Sequence, residues 1–177
     1  MIRAMSDKIT RYMNELGVLE ESIEIHRYGV ETILSTVISL TFIFALSLIS
    51  GRLIEGLIYS LGFYYMRKFS GGYHCDTHLH CIGLYVIIFI VYLLTCSVYE
   101  KMNNYIALFS VLVFIIYVPV HNRKLNQKEH ELYKAISMMN LCIYIVLSSI
   151  GSYRSIFSYL LLVISILIIA GIRKYEV

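Results

Sequence analysis

LIEGLIYSLGFYYMRKFSGGYHCDTHLHCIGLYVIIFIVYLLTCSVY, residues 53–99, sets two apolar runs, 53–66 and 82–99, on either side of a short polar loop. The loop, RKFSGGYHCDTHLHC (67–81), places three histidines, two cysteines and an aspartate in eight consecutive positions behind a glycine pair. Four more apolar runs, at 33–50, 105–120, 135–150 and 156–172, repeat the pattern. Apolar residues make up 58% of the 177-residue chain and charged residues 15%. A globule of this size lacks the interior to hide so much apolar surface. The expected fold is therefore all-α: a polytopic integral membrane protein with about six transmembrane helices. Several runs are shorter than the ~20 residues that cross a bilayer core, so the helices must extend into flanking polar residues.

Charge gives an independent reading of topology. Arg3, Lys8, Arg11, Arg27, Arg67, Lys68, Arg123, Lys124, Lys128, Lys134, Arg173 and Lys174 all fall on one side of a six-span layout. Only Arg52, Lys101 and Arg154 fall on the other. Basic residues concentrate in cytoplasmic loops, so both termini and the 67–81 loop are expected in the cytoplasm. Arg52 and Glu55, three residues apart at the outer end of the second span, are placed to neutralise each other at the interface. Tyr64, Tyr65, Tyr85, Tyr99, Tyr105 and Tyr117 lie near span ends, as interfacial anchors do.

Residues 1–28 differ in character. Ile2, Met5, Ile9, Tyr12, Met13 and Leu16 recur at helical spacing among charges of both signs, which predicts an amphipathic N-terminal helix packed on protein. The domain reading is thus 1–28 for this helix and 29–177 for the membrane domain with its polar loop at 67–81. The N-terminus has no apolar core of a cleavable signal peptide. A net charge of +3, scattered near span ends, excludes a nucleic-acid surface. Pro119 should close the fourth span, with a helix resuming near Gln127.

His74, Cys75, His78, His80 and Cys81 are all zinc-ligand types. Their crowding into one octet, without a separated second pair, argues against a structural zinc site, and no metal or other cofactor is expected. A thiol nucleophile with an imidazole base fits better. Cys81 falls in the first turn of the third span, where the positive end of the helix dipole favours a thiolate, and Asp76 or Thr77 can cap that turn. A continuous helix from 74 to 81 would hold His74 about two turns, ~10 Å, from Cys81. Pairing these two residues therefore needs a non-helical loop, which Gly71 and Gly72 allow. Spacing alone leaves Cys75 as an alternative nucleophile and His78 as an alternative base. Cys96 and Cys142 sit inside apolar runs as small hydrophobic residues.

Arg67, Gly72, His74 and Cys81, an arginine and a glycine followed by H-x6-C, resemble the accessory gene regulator B (AgrB) family. The six-span layout, the amphipathic N-terminus and the V-P-V-x-N-R-K-L stretch from Val118 are similar to that family too. The resemblance implies a bacterial cell-membrane cysteine endopeptidase acting in quorum sensing. His74 would be the base, Cys81 the nucleophile, and an AgrD-like propeptide with an acidic C-terminal tail the substrate. Cleavage through a Cys81 thioester would lead to a thiolactone or lactone ring. Arg67, Gly72, Arg123 and Lys124 are the substrate-binding candidates under this reading, with Ser70 and Asp76 as groups able to orient His74. The lipid bilayer is the other partner, and exposed span faces leave room for a homodimer. The rival reading is a non-enzymatic transporter or metal-gated export protein. It draws on the same loop, but only Arg52 and Glu55 put charge inside a span.

Overall fold

The computed structural model describes residues 2–17, 22–73, 75, 77–120, 126–150 and 152–175. Among them are seven helices: α1 (Ile2–Glu15), α2 (Ile23–Ile49), α3 (Leu53–Ser70), α4 (His78–Lys101), α5 (Asn103–Tyr117), α6 (Gln127–Ile150) and α7 (Arg154–Tyr175). The six apolar runs correspond to α2 through α7, and the all-α membrane architecture holds. Four of these helices, α2, α4, α6 and α7, are long and apolar enough to cross a membrane. Fifteen-residue α5 spans only about 22 Å. Val118–Val120 extend it further, because the backbone before Pro119 leaves the helical region, as expected for a residue preceding proline.

The helices alternate in direction. One end of the bundle carries the α3–α4 loop, Val120, and the last turns of α7; the other carries Arg52, Asn103 and Ser155. Helix α7 is the axis: Ile156, Leu160, Leu161, Ile164 and Ile168 are fully buried, and it packs on α3, α4, α5 and α6. Small residues allow close crossings. A methyl group on Gly56 would lie 2.6 Å from Ser47 Cβ, so α2 and α3 touch almost backbone to backbone there.

Tyrosines make up much of the interior. Tyr85 and Tyr99 were expected at the interface, but turn inward instead. The Tyr85 ring lies 4.9 Å from that of Tyr59, and Tyr99 lies 4.8 Å from Tyr159. Tyr59 donates to the Tyr85 carbonyl (2.9 Å), and the Tyr159 hydroxyl donates to the Ile88 carbonyl. Tyr64, Tyr65, Tyr105 and Tyr117 remain exposed, consistent with interfacial anchoring. The Arg52–Glu55 pair forms (3.0 Å), but Glu55 also accepts from Tyr92 (2.6 Å), which in turn meets Ser155 at 3.0 Å. The pair thus ties three helices together rather than only balancing charge at an interface.

The N-terminal segment departs from the sequence reading in two ways. Helix α1 stops at Glu15, where Gly17 adopts φ +66° and bonds back to the Asn14 carbonyl, and α2 starts at Ile23, ten residues before the apolar run. Hydrophobicity marks what lipid can cover, whereas the helical hydrogen-bond ladder continues past it. Packing of α1 on protein does occur, but through Ser6 and Thr10, both fully buried, with an Arg27–Asp7 ion pair (3.8 Å) alongside. The apolar stripe Met5, Ile9, Tyr12 and Leu16 stays exposed.

Candidate active site

Helix α3 ends at Ser70 because Gly71 takes φ +73°, and Gly72 follows at φ +112°. Both values suit glycine and strain any other residue. The chain that emerges is held by main-chain bonds on two sides. Gly72 N–H donates to Val120 O and Val120 N–H donates to Ser70 O, each at 2.9 Å, forming a short parallel bridge. One residue on, Tyr73 N–H donates to the Leu167 carbonyl of α7 at 2.8 Å. The contact with α7 requires two glycines. A methyl group on Gly72 would sit 2.9 Å from Leu167 O, and one on Gly171 would sit 2.7 Å from Gly72 C and Tyr73 N. Gly171 lies far away in the sequence, and nothing in its local context marks it.

Residues 71–73, 75 and 77 are non-helical, so the continuous helix that would hold positions 74 and 81 apart does not form. Helix α4 begins at His78. Thr77 adopts extended geometry and its hydroxyl accepts from His80 N–H at 3.3 Å, the capping role expected of it. Cys81 N–H closes the first helical turn on Thr77 O at 3.1 Å. The Cys81 thiol is exposed, and among the described residues no hydrogen bond holds it.

Its direction follows from helix geometry. Cys81 is one turn before Tyr85 on the same face, and the Tyr85 ring packs on Tyr59 and Phe63 of α3. Aromatic rings, rather than close backbone approach, fill the space between α3 and α4. One turn further toward the loop, the same register reaches Arg67 on α3 and Cys81 on α4. Cys81 itself is exposed, next to the buried Ile82. The Arg67 guanidinium lies over the Phe63 ring, 5.5 Å from its centroid. Two open grooves meet at Tyr73. One, about 370 Å³, runs along α4 past Cys75, Leu79, His80 and Gly83; the other, about 400 Å³, follows Ile166, Ile169 and Arg173 on α7.

Other candidates fare differently. Ser70 is fully buried and its hydroxyl donates to the Met66 carbonyl (2.9 Å), which occupies the proton it could offer an imidazole. His78 faces α2: its Nε2 lies 3.3 Å from Glu31 Oε2, and its ring lies 5.9 Å from Tyr28. Gly72 is buried against α7. Among the described residues no three His, Cys, Asp or Glu side chains converge on a metal position. His74, Asp76, Arg123 and Lys124 lie outside the described residues. Cys75, Cys81, Cys96 and Cys142 form no disulfide among the described residues, and Cys142 is exposed on α6.

A polytopic helical membrane protein that presents a free thiol in the first turn of a span, beside a glycine-pinned loop, defines the class. The sequence model of the accessory gene regulator B family matches residues 5–172, and the chain belongs to that family. An AgrB-like protein of Clostridium perfringens strain SM101 is 26% identical over 96% of this chain and 85% of its own length. A second C. perfringens protein, AgrB-like protein 2 of strain 13, is 29% identical over 88% of this chain and 80% of its own. An AgrB-like protein of Clostridium beijerinckii is 26% identical over 83% and 77%. No solved structure matches the chain.

Proposed function

We propose that this protein is a cysteine endopeptidase of the bacterial cell membrane that trims and cyclises an AgrD-like propeptide for quorum sensing. The observation that carries the reading is the exposed Cys81 thiol in the first turn of α4, the turn that Thr77 caps. In this mechanism His74 takes the thiol proton and Cys81 sulfur attacks the carbonyl carbon of the bond preceding the acidic tail. The tail departs as an amine carrying that proton, and the remaining peptide is held as a thioester on Cys81. An internal thiol or hydroxyl of the propeptide then displaces the enzyme sulfur and closes the ring. Exchange of one thioester for another is nearly isoenergetic, so the enzyme needs only to hold the internal nucleophile close and exclude water.

Arg67, in the last turn of α3, and Arg123 and Lys124, which follow Val120 in the sequence, are the cations assigned to the acidic tail. The bundle end that carries the loop, the N-terminus and the last turn of α7 faces the cytoplasm in this account, as the distribution of basic residues requires. Thiol labelling from each side of the membrane checks that placement: labelling of Cys81 only from outside contradicts it. The functional test is co-expression with a propeptide bearing an amphipathic leader and an acidic tail, followed by mass spectrometry of the peptide. Cys81→Ala should abolish tail removal and Cys75→Ala should leave it intact. Processing that survives Cys81→Ala overturns the proposal.

A further inference from the structure

Glu31 occupies an unexpected position for a charged residue in a membrane helix. Its side chain is only 15% exposed, and its two oxygens serve two other helices. Oε1 lies 3.2 Å from the Ser6 hydroxyl of α1, whose one proton it shares with the Arg3 carbonyl at 2.9 Å, and Oε2 lies 3.3 Å from His78 Nε2 of α4. Ser6 is itself fully buried. Tyr28, one turn before Glu31 on α2, places its ring against that of His78. His78 is the first residue of α4, and Cys81 is three residues on, so one carboxylate joins the α1–α2 hairpin to the turn that carries the thiol.

The first turn of a helix is its least secure part, since its amides have no intrahelical acceptors and fraying begins there. Thr77 supplies one acceptor, to His80 N–H. A side-chain tether on the first residue supplies what the cap does not: a fixed position relative to the rest of the bundle.

We propose that Glu31 is a positioning residue for Cys81, acting through His78, and that Ser6 makes the placement of the thiol depend on α1. The inference deepens the proposed function by naming what holds its nucleophile in place. Its test, however, needs no substrate. A frayed first turn removes the aligned amides whose field favours the reacting thiolate, so loss of the tether should slow Cys81 chemistry.

The experiment follows alkylation of the full-length protein in detergent by N-ethylmaleimide, resolved by site with peptide mass spectrometry. The exposed thiol of Cys142 is the internal reference. Glu31→Ala and His78→Ala should each slow Cys81 relative to Cys142 by about threefold or more, the scale of losing one helix-terminus interaction. The double variant should be no slower than either single one, because both remove the same contact. Glu31→Gln keeps the length and an acceptor oxygen, and should recover most of the rate. Hydrogen exchange in the first turn of α4 should quicken in Glu31→Ala while α7 stays protected. An unchanged or faster Cys81 rate in Glu31→Ala, multiplying effects in the double variant, or Glu31→Gln as slow as Glu31→Ala overturns the assignment. If these results hold but Cys81→Ala still processes propeptide, the tether stands and the peptidase reading falls. If the reverse occurs, the tether alone fails.

Discussion

At one end of the bundle, Arg52, Glu55, Tyr92 and Ser155 join three helices through their side chains, and Asn103 accepts from Ser158 at 2.6 Å nearby. At the other end, Gly71, Gly72 and Tyr73 are held by main-chain groups of Val120 and Leu167. The two solutions leave different things behind. A side-chain network uses up its polar groups in holding the helices together. Main-chain pins hold Gly71–Tyr73 through backbone groups, so the loop end can be held in place while Cys81 stays exposed. Glycine makes this possible, because only a residue without Cβ lets the loop backbone lie directly on α7.

The contrast can be broken most severely at the α7 crossing. Gly171→Val places side-chain carbon where Gly72 and Tyr73 backbone now lies, and backbone cannot yield as a flexible side chain can. Propeptide processing should fall by about 100-fold, the scale expected when reacting groups are misplaced by an ångström. The readout is turnover in liposomes containing the variant. Gly72→Ala should follow, combining a positive φ with a 2.9 Å clash on Leu167 O, at a cost of about 2–3 kcal/mol in unfolding stability. Denaturant or thermal unfolding in detergent measures that loss.

At the other end the expectation reverses. Tyr92→Phe removes the hydrogen bonds to Glu55 and Ser155 and leaves a half-buried carboxylate short of one donor. It should lower stability by about 1–2 kcal/mol while processing per folded molecule stays near that of the parent. A processing defect larger than the folding defect would show that the two ends are coupled. Cys142→Ala, on an exposed face of α6, should change stability by no more than about 0.5 kcal/mol and leave processing intact.

Much of this arrangement was legible before any coordinates. The apolar runs marked helices α2 to α7, four of them long and apolar enough to cross a membrane, because lipid imposes one composition on every span. Thr77, one of two candidate caps beside Asp76, and the turn at Gly71–Gly72 followed from local chemistry, which short sequence windows carry; the non-helical stretch after the glycines was only the condition for pairing His74 with Cys81. What escaped notice is long-range. Tyr85 and Tyr99 sit near span ends, and tyrosine suits an interface as well as a hydrogen-bonded interior, so position alone could not separate the two. Gly171 has no local signature because its role is set by a chain segment about 100 residues earlier. Glu31 stands two residues before the first apolar run, and nothing in its local sequence marks it. Its meaning depends on α2 extending well past that run and on His78 meeting it there. Ser70, considered as a partner for His74, instead bonds to its own helix, a common local alternative for serine.

The central claim is that Cys81 forms a covalent acyl intermediate, and it can be tested by trapping that species. A propeptide whose internal nucleophile is replaced by alanine can be cleaved but cannot cyclise, so the thioester should persist long enough for intact-mass and peptide mapping. The account predicts one adduct, on Cys81, of the mass of the propeptide without its tail and released by hydroxylamine. An adduct on Cys75, or cleavage of this propeptide with no adduct at any cysteine under rapid acid quench, would contradict it.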